Sequence, residues 1–274
     1  MVVIAARTRD NHAVPPTSAI PKKTGTQAIE RAISILRVFA ENDKPLSLTE
    51  IARTVGLSPG TTHRILATLV RERFLANDAA AERYQIGPDS LFLFAAAARR
   101  YGIDAARSEL ELLVEATHET AAIGMLDGCD AVVVLQVESD LPLRFSRAVG
   151  TRVPAHVSAM GKVILAFSGQ DATDTTAALG KLHRFTDHTI TNRPRLLAEL
   201  HDIEQRGWAV NDNERYDGVR GVAVPIRRAG ERAYASLGVQ GPTERLADTR
   251  IAAVVEALQA SAHRLSQHLQ LTTF

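Results

Sequence analysis

Apolar residues recur at three- and four-residue spacing near the front of the chain, a pattern typical of amphipathic helices. The first such series begins at Thr26 and ends near Asn42, and its main apolar members are Ile29, Ile33, Leu36 and Phe39. Two further series follow over residues 47–70 and are separated by a glycine. The pattern therefore predicts three helices before residue 71.

Local signals bound the second and third helices. Ser47 and Glu50 have capping-box spacing, in which each side chain accepts the other residue's amide. Gly56 stands where a left-handed residue ends a helix, and Ser58 then caps the third helix with Pro59 at its first position. Two helices joined by a short glycine turn form a helix-turn-helix, whose second helix enters the major groove of DNA with its N-terminus.

The third helix has two distinct faces. Its inward stripe is Thr62, Ile65, Leu66 and Leu69, which leaves Gly60, Thr61, Arg64 and Thr68 on the opposite face. Threonine hydroxyls can reach phosphates or base edges, Gly60 lets the backbone approach closely, and Arg64 can bind guanine bidentately. The expected DNA-binding residues of this helix are Ser58, Gly60, Thr61, Thr62, His63 and Arg64.

Strand signals follow the third helix. The runs 74–76 and 83–86 flank a polar, alanine-containing loop and predict a hairpin, so that residues 26–88 form a winged helix-turn-helix. Residues 89–118 read as one long helix or two abutting helices, and we assign 89–104 as a linker helix. The proline-containing, mildly basic residues 1–25 show no periodicity and are expected to form a flexible arm.

The second half of the chain mixes strand and helix signals and is assigned as one domain, residues 105–270. Strands are predicted at 121–126, 131–137, 143–146, 208–210, 222–226 and 234–239, and helices at 158–167, 195–206 and 244–269. Gly207 is the predicted stop of the second of these helices. Antiparallel hairpins with helices to one side predict an α+β domain rather than a parallel sheet.

Composition and net charge exclude few classes of function. The 274 residues carry a formal net charge of +1, so any binding of nucleic acid must depend on local charge. From Ser58 to Ala76 the charged residues are Arg64, Arg71 and Arg73 against Glu72. One cysteine, Cys129, is typical of a reducing compartment such as the cytoplasm, and no apolar run reaches the length of a membrane span.

Sequence patterns typical of enzyme active sites and of metal sites do not fit this chain. Gly161-Lys162 is followed by Val163 where a phosphate-binding loop needs Ser or Thr. Two histidine pairs, His183/His188 and His263/His268, are spaced five apart, which on a helix separates their faces. We therefore expect no catalytic residues, no metal and no cofactor.

A binding site is predicted at the start of the helix that Ser158 caps. The amides of Ala159, Met160 and Gly161 would be unpaired and partly positive, which suits a carboxylate; the alternative is that this turn only caps and packs. Downstream, Asp212 lies in a polar cluster and could orient a hydroxyl or an amide, although such clusters also form ordinary turns. Lys162 could be an ordinary solvated side chain.

Five ordered blocks of this chain resemble the IclR family of transcriptional regulators over about Thr26–Leu246. They are "ERAISILRVFAENDKPLSLTEIARTVGLSPGTTHRILATL", "YQIGPDSL", "VGTRVPAHVSAMGKVILA", "ELHDIEQRGWAVNDNERYDGVRGVAVPIRRAG" and "GVQGPTERL". The resemblance implies a winged helix-turn-helix joined by a linker helix to a GAF-like, profilin-like effector domain, with flanking helices on an antiparallel sheet. It also implies assembly as a dimer or a dimer of dimers.

Site residues follow from the same resemblance. It adds Thr26, Gln27 and Arg83 as flanking DNA contacts, and it implies an effector pocket lined by Ser158, Ala159, Met160, Gly161, Asp212, Gly221, Gly238 and Gln240. Two departures stand out. Arg73 replaces the glycine usual before the wing, and Gly238 and Gln240 replace serines often found in binders of small acids, which makes a larger carboxylate or an amide plausible.

The expected function is regulation of a catabolic operon in response to a small organic or aromatic acid. The expected partners are a palindromic double-stranded DNA operator, a small-molecule effector that is a carboxylate, and further copies of the chain, with no membrane. Two other classes compete: an enzyme with an accessory helix-turn-helix, and a protein-docking module, since helix-turn-helix geometry also serves protein contacts and residues 24–88 hold eight Lys/Arg against seven Asp/Glu.

Overall fold

The computed structural model describes residues 4–5, 26–40, 42, 44–78, 80–169, 171–228 and 230–269. The chain forms two compact units, Thr8–Ala98 and a second unit made of Met1–Arg7 with Arg99–Phe274. Of the predicted N-terminal arm, Ile4–Ala5 is described, as the short strand β1, and the other residues before Thr26 lie outside the described part of the chain.

The first unit combines three helices with a small sheet. Its elements are α1 (Thr26–Ala40), β2 (Leu46–Ser47), α2 (Leu48–Val55), α3 (Pro59–Arg71), β3 (Leu75–Asp78), β4 (Arg83–Ile86) and most of α4 (Asp89–Tyr101). The helices pack around one small core, whose buried members are Ile35, Phe39, Ile51, Leu66, Leu69 and Leu75. The three predicted helices and the predicted hairpin are confirmed.

Capping interactions set the helix boundaries in this unit. The Ser47 hydroxyl accepts the Glu50 amide, and the Glu50 carboxylate accepts the Ser47 amide at 2.8 Å, which completes the capping box of α2. Gly56 ends α2 with φ 66°, and Ser58 caps α3 directly ahead of Pro59. Each of these predicted boundary signals is confirmed.

The wing is a three-stranded antiparallel sheet in the order β2–β4–β3. The chain enters it through Arg73, whose backbone is left-handed with φ 60°. This is the position at which the resemblance implies glycine, and the positive φ explains the preference. The Arg73 carbonyl lies so close to Gly87 that a Cβ on Gly87 would collide with it.

Two abutting helices, rather than one long helix, follow the wing. α4 ends at Tyr101 and α5 (Ile103–Thr117) begins after Gly102, which has φ 72°. A Cβ at Gly102 would lie 2.7 Å from the carbonyl oxygen of His268. Glycine is therefore required at this break both for its backbone conformation and for the space it leaves.

A six-stranded antiparallel sheet organises the second unit, in the order β8–β6–β5–β11–β10–β9. These strands are β5 (Thr120–Asp127), β6 (Asp130–Val137), β8 (Arg152–Pro154), β9 (Ala209–Asp212), β10 (Val219–Ile226) and β11 (Ala235–Pro242). Separately, β1 pairs in parallel with β7 (Phe145–Ser146). The predicted α+β class with an antiparallel sheet is confirmed.

Helices cover both faces of this sheet, whereas the sequence predicted them on one side. α5 and α9 (Asp248–His268) pack on the face that carries Val222 and Val224. α6 (Ala159–Ala166) and α8 (Arg193–Arg206) pack on the opposite face, against Ala122 and Ala223. The prediction was wrong because β10 is buried at consecutive positions, so that both of its faces need a covering layer.

The sequence did not predict the elements α7 and β8 of the second unit. α7 (Ala172–Ala178) is built from alanine, threonine and aspartate, and β8 has only three residues, so neither has an apolar period. The predicted stop of α8 at Gly207 is confirmed, with φ 84°.

Candidate DNA-binding helix and effector cavity

The N-terminal turn of α3 presents a polar, unobstructed surface. The Ser58 hydroxyl accepts the Thr61 amide at 3.3 Å and donates to the Thr61 hydroxyl at 2.9 Å. Gly60, His63 and Arg64 are exposed, and a Cβ at Gly60 would meet no atom within 4 Å. A helix with this end free of bulky side chains can approach a DNA groove closely.

Thr62 does not share this surface. Its side chain is fully buried, and its hydroxyl donates to the Ser58 carbonyl at 3.0 Å. The helical period places it on the inward stripe, and this position overrides its predicted role as a DNA contact. Thr62 is therefore removed from the candidate DNA contacts.

Arg64 carries the local positive charge of α3. Arg71 pairs with Glu72 at 2.9 Å, and Arg73 pairs with Asp89 at 3.1 Å. Within the described residues, the Arg64 guanidinium has no such partner. Of the three arginines between Ser58 and Ala76, Arg64 is thus the one without a described ion-pair partner.

The three flanking residues are also at the surface. Thr26 and Gln27 lie exposed in the first turn of α1. Arg83, at the start of β4, donates to the Pro45 carbonyl at 2.8 Å and contacts Glu50 at 3.3 Å, which ties the wing to the capping box. Its side chain is still 46% exposed, so its remaining N–H groups can reach an outside partner.

A small cavity lies between the N-terminus of α6 and the sheet of the second unit. The space open to the centre of a water molecule measures about 20 Å³, enough for roughly one water. Six of the predicted effector-binding residues line it: Ser158, Ala159, Met160, Gly221, Gly238 and Gln240. The sequence blocks that carry these residues are far apart along the chain, and the fold brings them to one place.

The start of α6 supplies the polar end of the cavity. The Ser158 hydroxyl accepts the Gly161 amide at 3.3 Å. The amides of Ala159 and Met160 belong to the first helical turn, which has no intrahelical carbonyl partner. This end of the cavity is therefore partly positive.

Two predicted effector-binding residues lie outside the cavity lining. Gly161 packs against backbone atoms of Ala155, where a Cβ would approach to 2.5 Å. The Asp212 carboxylate accepts two hydrogen bonds from Arg220, at 2.8 and 3.0 Å, and these bonds hold its pKa below the usual range. Side chains alternate along β9, so it is the neighbouring Asn211 that reaches the cavity.

Arg147 lines the same cavity and was missed by the sequence analysis. It follows β7 directly and is 8% exposed. Its guanidinium carbon lies 4.7 Å from the ring centre of Phe145 and 5.8 Å from that of Tyr216. No periodicity or motif marks it, because its burial depends on residues that approach from elsewhere in the chain.

Lys162 is not solvated, which corrects the simplest interpretation of the sequence. Its side chain is 1% exposed, and its ammonium lies 2.6 Å from a Glu214 oxygen and 3.4 Å from a Glu199 oxygen. Burial raises the pKa of the Glu214 carboxyl, although Lys162 acts in the opposite direction. This buried group anchors α6 to the loop after β9 and to α8.

Two other kinds of feature are absent from the described ranges. No cluster of three or more His, Cys, Asp or Glu side chains there could hold a metal ion. Among the same residues, no helix is both long enough and apolar enough to cross a membrane.

Comparisons with known proteins agree over both units. The IclR helix-turn-helix domain model matches residues 28–79, and the model of the bacterial transcriptional regulator IclR C-terminal domain matches residues 95–267. HTH-type transcriptional regulator BhcR of Paracoccus denitrificans is 36% identical over 244 residues, which cover 88% of this chain and 87% of BhcR.

Solved structures show the same likeness. An IclR transcriptional regulator from Alicyclobacillus acidocaldarius matches with a TM-score of 0.80 and 26% identity, covering 88% of this chain and 97% of that one. An IclR homologue from Microbacterium hydrocarbonoxydans, solved with 4-hydroxybenzoate, matches in fold with a TM-score of 0.75, 20% identity and coverage of 88% and 98%. With both domain models matched in order, this chain belongs to the IclR family of DNA-binding transcriptional regulators.

Proposed function

We propose that the chain acts as a homodimer, or a dimer of dimers, that binds a palindromic operator through α3 and controls a catabolic operon in response to an organic acid. The observation that carries the DNA-binding part is the exposed N-terminal turn of α3, where Arg64 has no partner in the described chain. The place of action is the cytoplasm, which contains the bacterial chromosome.

Each DNA contact has a distinct task in this proposal. Arg64 donates two hydrogen bonds to guanine, while Ser58, Thr61 and His63 contact base edges or phosphates near the helix start. Thr26, Gln27 and Arg83 contact the flanking backbone and fix the register of α3. Because phosphate contacts release counterions, operator affinity falls steeply as salt rises.

Replacing Arg64 with Ala tests the assignment. We expect the substitution to weaken operator binding by about 1–3 kcal/mol and to relax base preference at one position. The measurement is fluorescence anisotropy at fixed salt with DNA from upstream of the chain's own gene. Arg71→Ala is the matched control: it also removes an exposed arginine from α3, but one paired with Glu72. Equal affinity of the Arg64→Ala and wild-type proteins would reject the assignment.

Self-association is supported by an exposed apolar surface on the first unit. Four consecutive residues of α4, Leu91, Phe92, Leu93 and Phe94, are each more than 60% exposed. Ile29 and Ile33 of α1 are 61% and 46% exposed. A helical turn that is apolar on every side needs a covering partner. A second copy covers it with the same surface in a two-fold dimer, which matches a palindromic operator.

The effector is proposed to bind in the cavity at the N-terminus of α6. Its carboxylate faces the amides of Ala159 and Met160 and gains from the helix dipole. The homologue solved with 4-hydroxybenzoate supports an aromatic acid as one ligand class. Since the cavity holds only about one water, an acid needs more space, and in this proposal Met160 moves, whose Cγ would lie 3.2 Å from a Cβ at Gly238. The unbranched methionine side chain is suited to such repacking.

In this proposal the acid controls transcription because its affinity differs between two arrangements of the dimer. An acid that binds more tightly to one arrangement of the dimer shifts the population toward it, and the change in DNA binding free energy cannot exceed that difference in acid binding. A thermal-shift screen of aliphatic and aromatic acids, followed by anisotropy with operator DNA, tests the coupling. Acids that raise the Tm without changing operator affinity would disprove effector control while leaving DNA binding intact.

A further inference from the structure

Arg147 is a buried cation without a counter-ion in the cavity wall. Its side chain is 92% removed from solvent, and its Nη2 atom has no hydrogen-bond partner within the described chain. The arginines that do form described ion pairs each reach an Asp or Glu oxygen within 3.3 Å. Arg220, for example, pairs with Asp212 and Asp248. Arg147 is different because the described contacts of its guanidinium are with aromatic rings.

The surroundings do not neutralise this charge. The residues that line the cavity in the described structure include no aspartate or glutamate. Burial, with the Arg215 charge nearby, lowers the pKa of Arg147 to about 10, so the guanidinium remains protonated at neutral pH. A buried charge without a partner is costly, and faces of Phe145 and Tyr216 offset only part of the cost.

The geometry leaves the edge of the guanidinium for a ligand. The guanidinium carbon lies over the Phe145 ring, 4.7 Å from its centre, while hydrogen bonds leave a guanidinium in its own plane. The Arg147 backbone amide is already used, since it donates to the Gln136 side-chain oxygen at 3.3 Å. This bond fixes the start of a side chain that lines the cavity and whose buried Nη2 atom has no described partner.

We propose that Arg147 is the counter-ion of the effector and restricts the ligand to organic acids in their ionised form. The carboxylate accepts hydrogen bonds from Arg147 Nη2, and the partly positive start of α6 lies on the same cavity. This assignment rests on the proposed effector cavity. It adds that discrimination between an acid and its neutral amide depends on one side chain, and that this side chain lowers the stability of the ligand-free protein.

Paired ligands test the proposal with the full-length protein. The probes are pyruvate with pyruvamide, and 4-hydroxybenzoate with 4-hydroxybenzamide, titrated calorimetrically into wild type, Arg147→Met and Arg147→Lys. We expect Arg147→Met to lose about 30-fold or more in affinity for the acids and to bind acid and amide alike. Arg147→Lys retains the positive charge but lacks the planar set of N–H donors of a guanidinium. It should therefore keep a weaker preference for acids.

Thermal melting without ligand separates this role from a structural one. Removal of an uncompensated buried charge leaves the Tm of Arg147→Met equal to or above that of wild type. Arg220→Met is the control, because that arginine has two carboxylate partners, and its Tm should fall. A Tm for Arg147→Met that falls as far as in the control overturns the proposal.

The remaining outcomes distinguish this assignment from the proposed function. Wild-type protein that binds amides as tightly as acids overturns the role of Arg147 and leaves the cavity as an effector site. Unchanged acid affinity in Arg147→Met has the same meaning. Wild-type protein that binds neither member of any pair, and keeps its operator affinity with both, overturns the effector cavity itself, and the role of Arg147 with it.

Discussion

At the residue scale, Arg73 and Glu82 are the two non-glycine residues of the described wing with a left-handed backbone, and Arg73 stands at its entrance. The left-handed region costs a residue with a Cβ about 1–2 kcal/mol, and glycine adopts it freely. The exposed ion pair between Arg73 and Asp89 offsets little of this cost. The unusual arginine before the wing is thus tolerated rather than favoured by the fold.

Replacing Arg73 with Gly should therefore stabilise the first unit by about 0.5–1 kcal/mol. Amide hydrogen exchange in α3 and β3 of the intact protein measures the change. Arg71→Gly is the matched control, since it removes a neighbouring paired arginine from right-handed helix and should destabilise by about 1 kcal/mol. Equal destabilisation by the two substitutions would contradict the explanation.

Single residues also show which roles the sequence alone can predict and which it cannot. Ser58 and Gly56 were identified because a cap or a helix stop depends on neighbours three or four residues away. Asp212 and Arg147 depend on partners brought by the fold: Asp212 binds Arg220 across two strands, and Arg147 is enclosed by β7, Tyr216 and the sheet. No local pattern contains that information.

At the element scale, Gly102 separates α4 from α5 for two reasons, one conformational and one steric. Gly102→Ala should destabilise the second unit by about 2–4 kcal/mol, because a Cβ would clash with the His268 carbonyl in addition to adopting a positive φ. Gly128→Ala is the control: its φ is 61° and no atom lies within 4 Å of the added Cβ, so about 1 kcal/mol is expected. Urea unfolding followed by the fluorescence of Trp208 compares them, and equal losses would exclude the steric contribution.

Elements differ in how well the sequence predicts them. β5 and β6 were found because two mainly apolar runs flank an Asp-Gly turn, and α8 was found because a glycine ends its apolar series. β8 was missed because its three residues are specified by pairing with β6 rather than by a pattern of their own. The second helical layer was missed because consecutive buried positions in β10 do not show which face each helix covers.

At the scale of the whole molecule, the exposed turn of α4 predicts the oligomeric state. Phe92→Glu places a charge where the proposed dimer buries an aromatic ring, so each protomer should lose about 1.5–3 kcal/mol of association free energy. Analytical ultracentrifugation over a concentration series measures the shift toward monomer. Val149→Asp, at an exposed apolar residue of the second unit, is the control. Unchanged sedimentation of Phe92→Glu would reject this dimer surface, and weaker operator binding should accompany dissociation.

The two-sided packing of the sheet limits how an effector can act on the rest of the chain. The cavity opens on the face covered by α6, whereas α5, which continues from α4, packs on the reverse face. Side chains alternate between these faces, and the strands join them: Val222 and Val239 line the cavity and also belong to the core that packs against α5. If the proposed effector cavity is correct, we expect an acid to act on α5 through the strands, by changing their twist or spacing.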